Sequence, residues 1–380
     1  METTDSLTIT VCVSENSVSP NRLTIVALIF VVTAIVGFIG NIFVILGVSV
    51  SQKLWNPTGL LIANLAVADL LACVMVPWHS AAMLSSNCDM PPYPKLICDT
   101  VAVLVVVCVG CSMYTLAVIG VNRVLLLSRH PAYQYLFTKG KLVLIVIGLW
   151  AIPLAITVVP IALGLGSVGY NPKFRVCTQM SEPKTYDKIL SIGMCPIPYV
   201  TIVVCYWRVY VLLARHASKM AQMNPVDQPL SSADNHLDPD NGKVHVSDSS
   251  HSVDGIADER SPNTGSTHSN IQTNISKRQV EITKNLFYVV SAFVICVTPY
   301  AICLLVEASD PAMPYTASLM LFNSCINPVI YATKHPYFKQ VFRCIIKCRW
   351  HEVPKPSRFL KWWLSRSWCF PCKDVGRVSI

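Results

Sequence analysis

Asp69 stands in the middle of the apolar run 58–84. A carboxylate at that depth costs roughly 2.5–3.5 kcal/mol on a membrane-insertion scale unless it is paired or hydrated. Oxygen ligands gathered around such a group suit a hard cation, and a hydrated polar network without an ion is the other reading. A second polar group, Asn323, Ser324 and Asn327, precedes Pro328 in the last apolar run, which ends Asn327-Pro328-Val329-Ile330-Tyr331. A proline inside a spanning helix leaves one backbone carbonyl without its usual partner, so a neighbouring helix, a polar side chain or water must satisfy it. The last run thus reads as a helix built to be bent and rearranged, with polar groups that must face a protein interior. No Ser/His/Asp or metal constellation lies within the apolar runs, so an enzyme is not expected, and no Cys/His spacing marks a zinc site.

The elements that must hold these residues are long and apolar. The 380 residues are 53% hydrophobic and only 13% charged, with a mean hydropathy of +0.49; soluble domains sit nearer 25% charged. Apolar runs at 22–49, 58–84, 98–127, 141–163, 187–213, 285–307 and 312–332 each approach or exceed the roughly 20 residues a spanning helix needs. All but six of the 30 Lys and Arg fall on one side of a seven-span topology, the exceptions being Arg22, Lys95, Lys173, Arg175, Lys184 and Lys188. The basic side is the cytosolic one, which puts the N-terminus outside and makes nucleic-acid binding a poor reading of the +9 net charge.

The expected organisation is an all-α membrane protein with an outer tail at 1–21 and a seven-helix bundle at 22–334. The polar segment 217–280 reads as a disordered inner loop. A short amphipathic eighth helix at 335–348 and a cytoplasmic tail at 349–380 follow. Cys344 and Cys348 lie one turn apart near the end of that helix, at acylation spacing. The Trp- and base-rich tail beyond suits the inner leaflet, so membrane lipids are expected partners. Most of the 16 cysteines sit in apolar runs as small hydrophobes.

Landmarks recur in order along these runs: Gly40-Asn41, Leu65-Ala66-Val67-Ala68-Asp69, Cys98, Asn122-Arg123-Val124, Trp150, Pro198 with Tyr206, Phe293 with Cys296 and Pro299, and the motif ending at Tyr331. With these residues over about 22–348, the chain resembles the rhodopsin-like (class A) G-protein-coupled receptors. The resemblance implies a receptor that binds an extracellular ligand and activates heterotrimeric G proteins from the plasma membrane, with arrestin and receptor kinases as further partners. It implies a disulfide between Cys98 and Cys177, and an allosteric sodium ion among Asp69, Ser112, Asn323 and Asn327, with no other cofactor. It also implies a switch made of Asn122, Arg123, Tyr206, Phe293, Pro299, Pro328 and Tyr331.

Two departures from the family pattern matter. Asn122 and Val124 replace an acidic residue and a tyrosine beside Arg123, and Gln279 replaces the acidic partner on the sixth span. An amide cannot give the charge-assisted bond of a carboxylate, so the resting lock is loose, with Glu281 as a substitute partner. Val297 stands where most relatives carry Trp, leaving Phe293 to couple ligand to helix motion. The third-span position at which amine receptors carry aspartate is Val105, near Val109, and no lysine lies in the seventh span for retinal. His79, Ser191, Tyr300 and Glu307 are the polar candidates for ligand contact. An apolar pocket of this kind suits a lipid-like or small amphipathic ligand, while charges at its mouth leave a peptide open. The Asn122-Arg123 start with Pro131 and Tyr133 is similar to melatonin-like and medium-chain fatty-acid receptors. The alternatives are a transporter or channel, or a receptor-like scaffold without signalling output.

Overall fold

The computed structural model describes residues 18–87, 89–180, 185–222, 264–306 and 312–366, without the side chains of 216–222 and 264–279. Glu307, the middle of the 217–280 segment, most of the outer tail and the chain beyond 366 lie outside the described residues, as does the side chain of Gln279.

Helices α1 (Pro20–Val50), α2 (Pro57–Leu84), α3 (Lys95–Leu127) and α5 (Lys139–Ala162) are long and apolar enough to cross a membrane. A five-residue helix, α4 (Ala132–Leu136), joins the last two. The fifth crossing is made by α6 (Thr185–Met194) and α7 (Pro196–Gln222), and the sixth by α8 (Thr264–Leu305). The seventh, α9 (Met313–Lys334), is diluted by buried Asn323, Ser324 and Asn327 and packs against α1, α2 and α8. α3 is central, touching α2, α5, α7 and α8. The chain is a seven-helix membrane bundle.

Prolines place several helix starts. Pro20, Pro57, Pro314 and Pro336 occupy first-turn positions, where a missing N–H is no loss. Asn56 caps α2 by accepting from the Gly59 N–H at 3.1 Å. The structure adds detail to two segments, the first of which lies within one membrane-length stretch, Thr185–Arg215. The span 187–213 is interrupted at Cys195, because Pro196 has no N–H to continue the ladder. The segment 217–280, expected to be disordered, is helical at 217–222 and from Thr264 onward. Once an apolar helix exists, extending it by one residue is far easier than starting one, and no proline lies between Thr264 and Pro299.

A hairpin of β1 (Ser167–Asn171) and β2 (Val176–Met180) covers one end of the bundle. The Cys98–Cys177 disulfide ties β2 to the first turn of α3, with a Cα–Cα distance of 5.2 Å. At the other end lies α10 (Pro336–Ile346), which buries Phe338, Val341, Phe342, Cys344 and Ile345. Of the two proposed acylation sites, Cys348 is exposed and Cys344 is buried. Beyond it, α11 (Arg358–Arg366) packs against α1.

α1 and α9 approach closely at Gly40, where an added Cβ would meet the Pro328 Cβ at 2.7 Å. Gly40→Ala should therefore destabilise the protein by about 1–3 kcal/mol, the range for an overpacked core. Gly148→Ala, which meets nothing within 4 Å, should lose nothing. Thermal unfolding in detergent compares the two, and equal midpoints would refute the close approach.

His335 caps α10 by accepting from the Phe338 N–H at 3.4 Å and is 3% exposed. Burial, then the Arg123 charge, lower its pKa from 6.5 to about 3. The unfolded chain takes up this proton near 6.5 and the folded chain resists it, so stability should fall as pH drops from 6.5 towards 3. His335→Asn, a neutral cap, should flatten that acid limb in unfolding midpoints measured against pH. An unchanged slope would contradict the assignment.

Candidate functional site

The site is built around a carboxylate with no cationic neighbour on hydrogen-bonding terms. Asp69, 2% exposed, accepts from Ser112 Oγ at 3.2 Å, Ser324 Oγ at 3.1 Å and Asn327 Nδ2 at 2.8 Å. Three neutral donors from α3 and α9 thus converge on one acid from α2, and each bond to a charged group is worth roughly 1.5–3 kcal/mol. Ser324, which the sequence reading left out of the ion set, bonds Asp69 directly. Asn323 lines the same void, and its Oδ1 is buried with no hydrogen-bond partner. The three-residue separation of Ser324 and Asn327 puts both on one face of α9, a signal that could have promoted Ser324. The void, also lined by Phe293 and Val297, is about 10 Å³, close to the least that one water occupies. The Asp69 carboxylate, the Ser112 and Ser324 hydroxyls and the Asn323 Oδ1 are oxygens of the kind a small hard cation takes, while Asn327 presents its nitrogen.

Pro328 frees the carbonyl of Ser324, four residues earlier. Asn41 Nδ2 donates to that carbonyl at 3.0 Å and to Gly37 O at 2.8 Å. Ser324 therefore binds α1 through its backbone and α2 through its hydroxyl. Cys325 adds a thiol bond to Thr33 O at 3.0 Å.

Towards the α10 end, Arg123, Tyr206 and Tyr331 are all buried, at 2%, 5% and 1% exposure. Among the described residues the Tyr206 and Tyr331 hydroxyls have no hydrogen-bond partner. Tyr331 stacks on Phe338 with ring centroids 5.4 Å apart, tying α9 to α10. Asn122 accepts from Thr58 Oγ1 at 2.8 Å, so its oxygen is committed to α2. Glu281 is exposed. Trp150 donates to Asn64 Oδ1 at 2.9 Å, and Asn64 in turn donates to Thr115 Oγ1 at 2.8 Å. This α2–α3–α5 tie was invisible in a sequence that marks Trp150 alone.

Towards the hairpin end, a cavity of about 430 Å³ opens between α3, α6, α8, α9 and β2. His79, Val105, Val109, Ser191 and Tyr300 all line it. His79 is held by its Nε2 contact with the Cys177 carbonyl at 3.0 Å. Ser191 is 7% exposed and its hydroxyl has no partner among the described residues. The rest of the wall is largely aliphatic or thioether, including Met113, Leu190, Met194 and Met320. Among the described residues Asp187 is the one carboxylate in the lining. Val109, Val297, Met320 and Leu321 border both this cavity and the void at Asp69.

The family model described as "7 transmembrane receptor (rhodopsin family)" matches residues 40–331. The mouse Alpha-1D adrenergic receptor is 29% identical over 333 residues, covering 84% of this chain and 56% of its own length. The Drosophila melanogaster G-protein coupled receptor moody is 23% identical over 365 residues, covering 90% of this chain and 53% of its own. The chain thus spans about half the length of these relatives. The crystal structure of squid rhodopsin superposes with a TM-score of 0.67 at 16% identity, covering 87% of this chain and 88% of that one, a likeness of fold. The match over residues 40–331 together with the seven-helix bundle makes this chain a member of the rhodopsin-like seven-transmembrane receptor family.

Proposed function

We propose that the chain is a ligand-activated receptor of the plasma membrane. It takes its ligand in the 430 Å³ cavity and activates heterotrimeric G proteins at the Arg123 end. The single observation carrying this reading is the shared wall of Val109, Val297, Met320 and Leu321 between the ligand-sized cavity and the Asp69 void. A ligand that shifts this wall changes the space beside Asp69, and Ser324 and Asn327 pass the change to the break at Pro328. The strongly basic inner loops support an extracellular N-terminus and a cytosolic C-terminus. Arrestin and receptor kinases are the further partners that this orientation allows.

The aliphatic and Met-rich lining supports a lipid-like or small amphipathic ligand, with Ser191, His79 and Tyr300 orienting its polar end. The adrenergic relatives support a second reading, a small amine, for which Asp187 is the counter-ion on this wall in place of an acid at Val105. A sodium ion among Asp69, Ser112, Ser324 and the Asn323 oxygen would screen the buried carboxylate in the resting state.

The Arg123 end also supports appreciable basal activity. Asn122 is an amide engaged with Thr58 rather than an acid held against Arg123. Asn122→Asp should lower ligand-free signal by roughly fivefold, about 1 kcal/mol for the excess of a charge-assisted bond over a neutral one. Cells carrying a panel of G-protein biosensors, challenged with lipids, amines and peptides, read both basal and stimulated exchange. Equal basal signals would sink the loose lock. Solute flux without any exchange would instead identify a transporter, and neither response a scaffold.

A further inference from the structure

Beyond α10 the chain returns to the bundle. The Ser357 N–H donates to the Val50 carbonyl at 2.8 Å, and the Gln52 N–H donates to the Lys355 carbonyl at 2.9 Å. Ser51 Oγ donates to Pro354 O at 2.7 Å, and Ser51 pairs with Pro356 as an antiparallel bridge. Ser51 and Ser357 are both fully buried. Val50 is the last residue of α1, so this tie fixes the start of α11 at the level where a spanning helix leaves the bilayer. Ser357 also caps α11 by accepting from the Leu360 N–H at 3.1 Å.

α11 has two unlike faces. Leu360 is 1% exposed and Leu364 packs on the same core. Phe359, Trp362 and Trp363 are 57%, 51% and 41% exposed. Arg358, Lys361 and Arg366 are exposed beside them, and 358–366 contains no acidic residue. Arg366 lies 4.7 Å from the Trp362 ring centre. Aromatic rings interleaved with bases, held at the depth of a helix end, match the border between acyl chains and headgroups. The uniformly positive charge selects acidic headgroups.

We propose that α11 is a second membrane-surface anchor, distinct from α10. It seats Phe359 and Trp362 among the acyl chains and places Arg358, Lys361 and Arg366 against acidic phospholipid headgroups, with the Ser51–Pro356 bridge as its hinge to α1. In the cell the acidic surface is that of the cytoplasmic leaflet, so this setting rests on the orientation proposed above. A disc with identical leaflets separates the two questions.

The test is amide hydrogen exchange across 358–366 in the full-length receptor, in nanodiscs of phosphatidylcholine alone or mixed with phosphatidylserine. Exchange should be at least about fivefold slower in the acidic discs, the effect of a single basic residue at an acidic surface. The doubly substituted Arg358→Glu, Lys361→Glu variant, altered only at exposed positions, should lose that difference. Brominated acyl chains should quench tryptophan emission more in acidic discs, and a Trp362→Ala, Trp363→Ala variant should lose the increment. Equal exchange in both lipids, or an unchanged difference after charge reversal, would overturn the proposal. So would slowing that appears only when cytosolic protein is added, which would give this face to a protein partner.

Discussion

The fold's functional arrangement depends on one missing hydrogen bond. Pro328 has no N–H, so the Ser324 carbonyl sits inside an apolar bundle with its helical partner removed. An unsatisfied carbonyl in that setting costs several kcal/mol. Asn41 supplies the replacement from α1 at 3.0 Å, and Gly40, its neighbour, has no side chain to hold the two helices apart. The same Ser324 turns its hydroxyl to Asp69 on α2. One residue thus joins three helices, and it does so where α9 is least able to hold itself straight.

This junction explains why a buried acid is tolerated. Asp69 is matched by three neutral donors, which hold a carboxylate without fixing it as a guanidinium would. The void beside it shares its wall with the large cavity, so the acid lies close to the space in which we propose a ligand binds. Val297 in place of a bulky aromatic leaves that wall thin, and Phe293 below it is fully buried. At the far end, Tyr331 is stacked on Phe338 while its hydroxyl and that of Tyr206 await partners. Groups held without partners beside a breakable helix are suited to a second arrangement in which they find them.

Much of this was legible in the chain itself. Apolar length and the bias of Lys and Arg give the spans, and the mid-span Asp69 with the Pro328 motif gives the polar centre, because lipid permits few such residues. What escaped is what depends on three-dimensional neighbours. Which of Asn323 and Ser324 bonds Asp69 directly is set by the rotation of α9, and the Asn122–Thr58 bond by how α2 and α3 cross. Cys195–Pro196 carries a readable break signal that apolar length alone overrides. The polar start of α8 and the return of 353–357 to α1 leave little trace in hydropathy, since backbone hydrogen bonds carry them.

The sodium site proposed at the Asp69–Ser324 junction would make the fold respond to that cation. It is tested by the unfolding temperature of the purified receptor as sodium chloride replaces choline chloride at constant ionic strength. A ligand that binds only the folded state raises that temperature in a saturable way. A saturable rise is expected for the wild type and none for Asp69→Asn. The same response in both proteins, or none in the wild type, would contradict it.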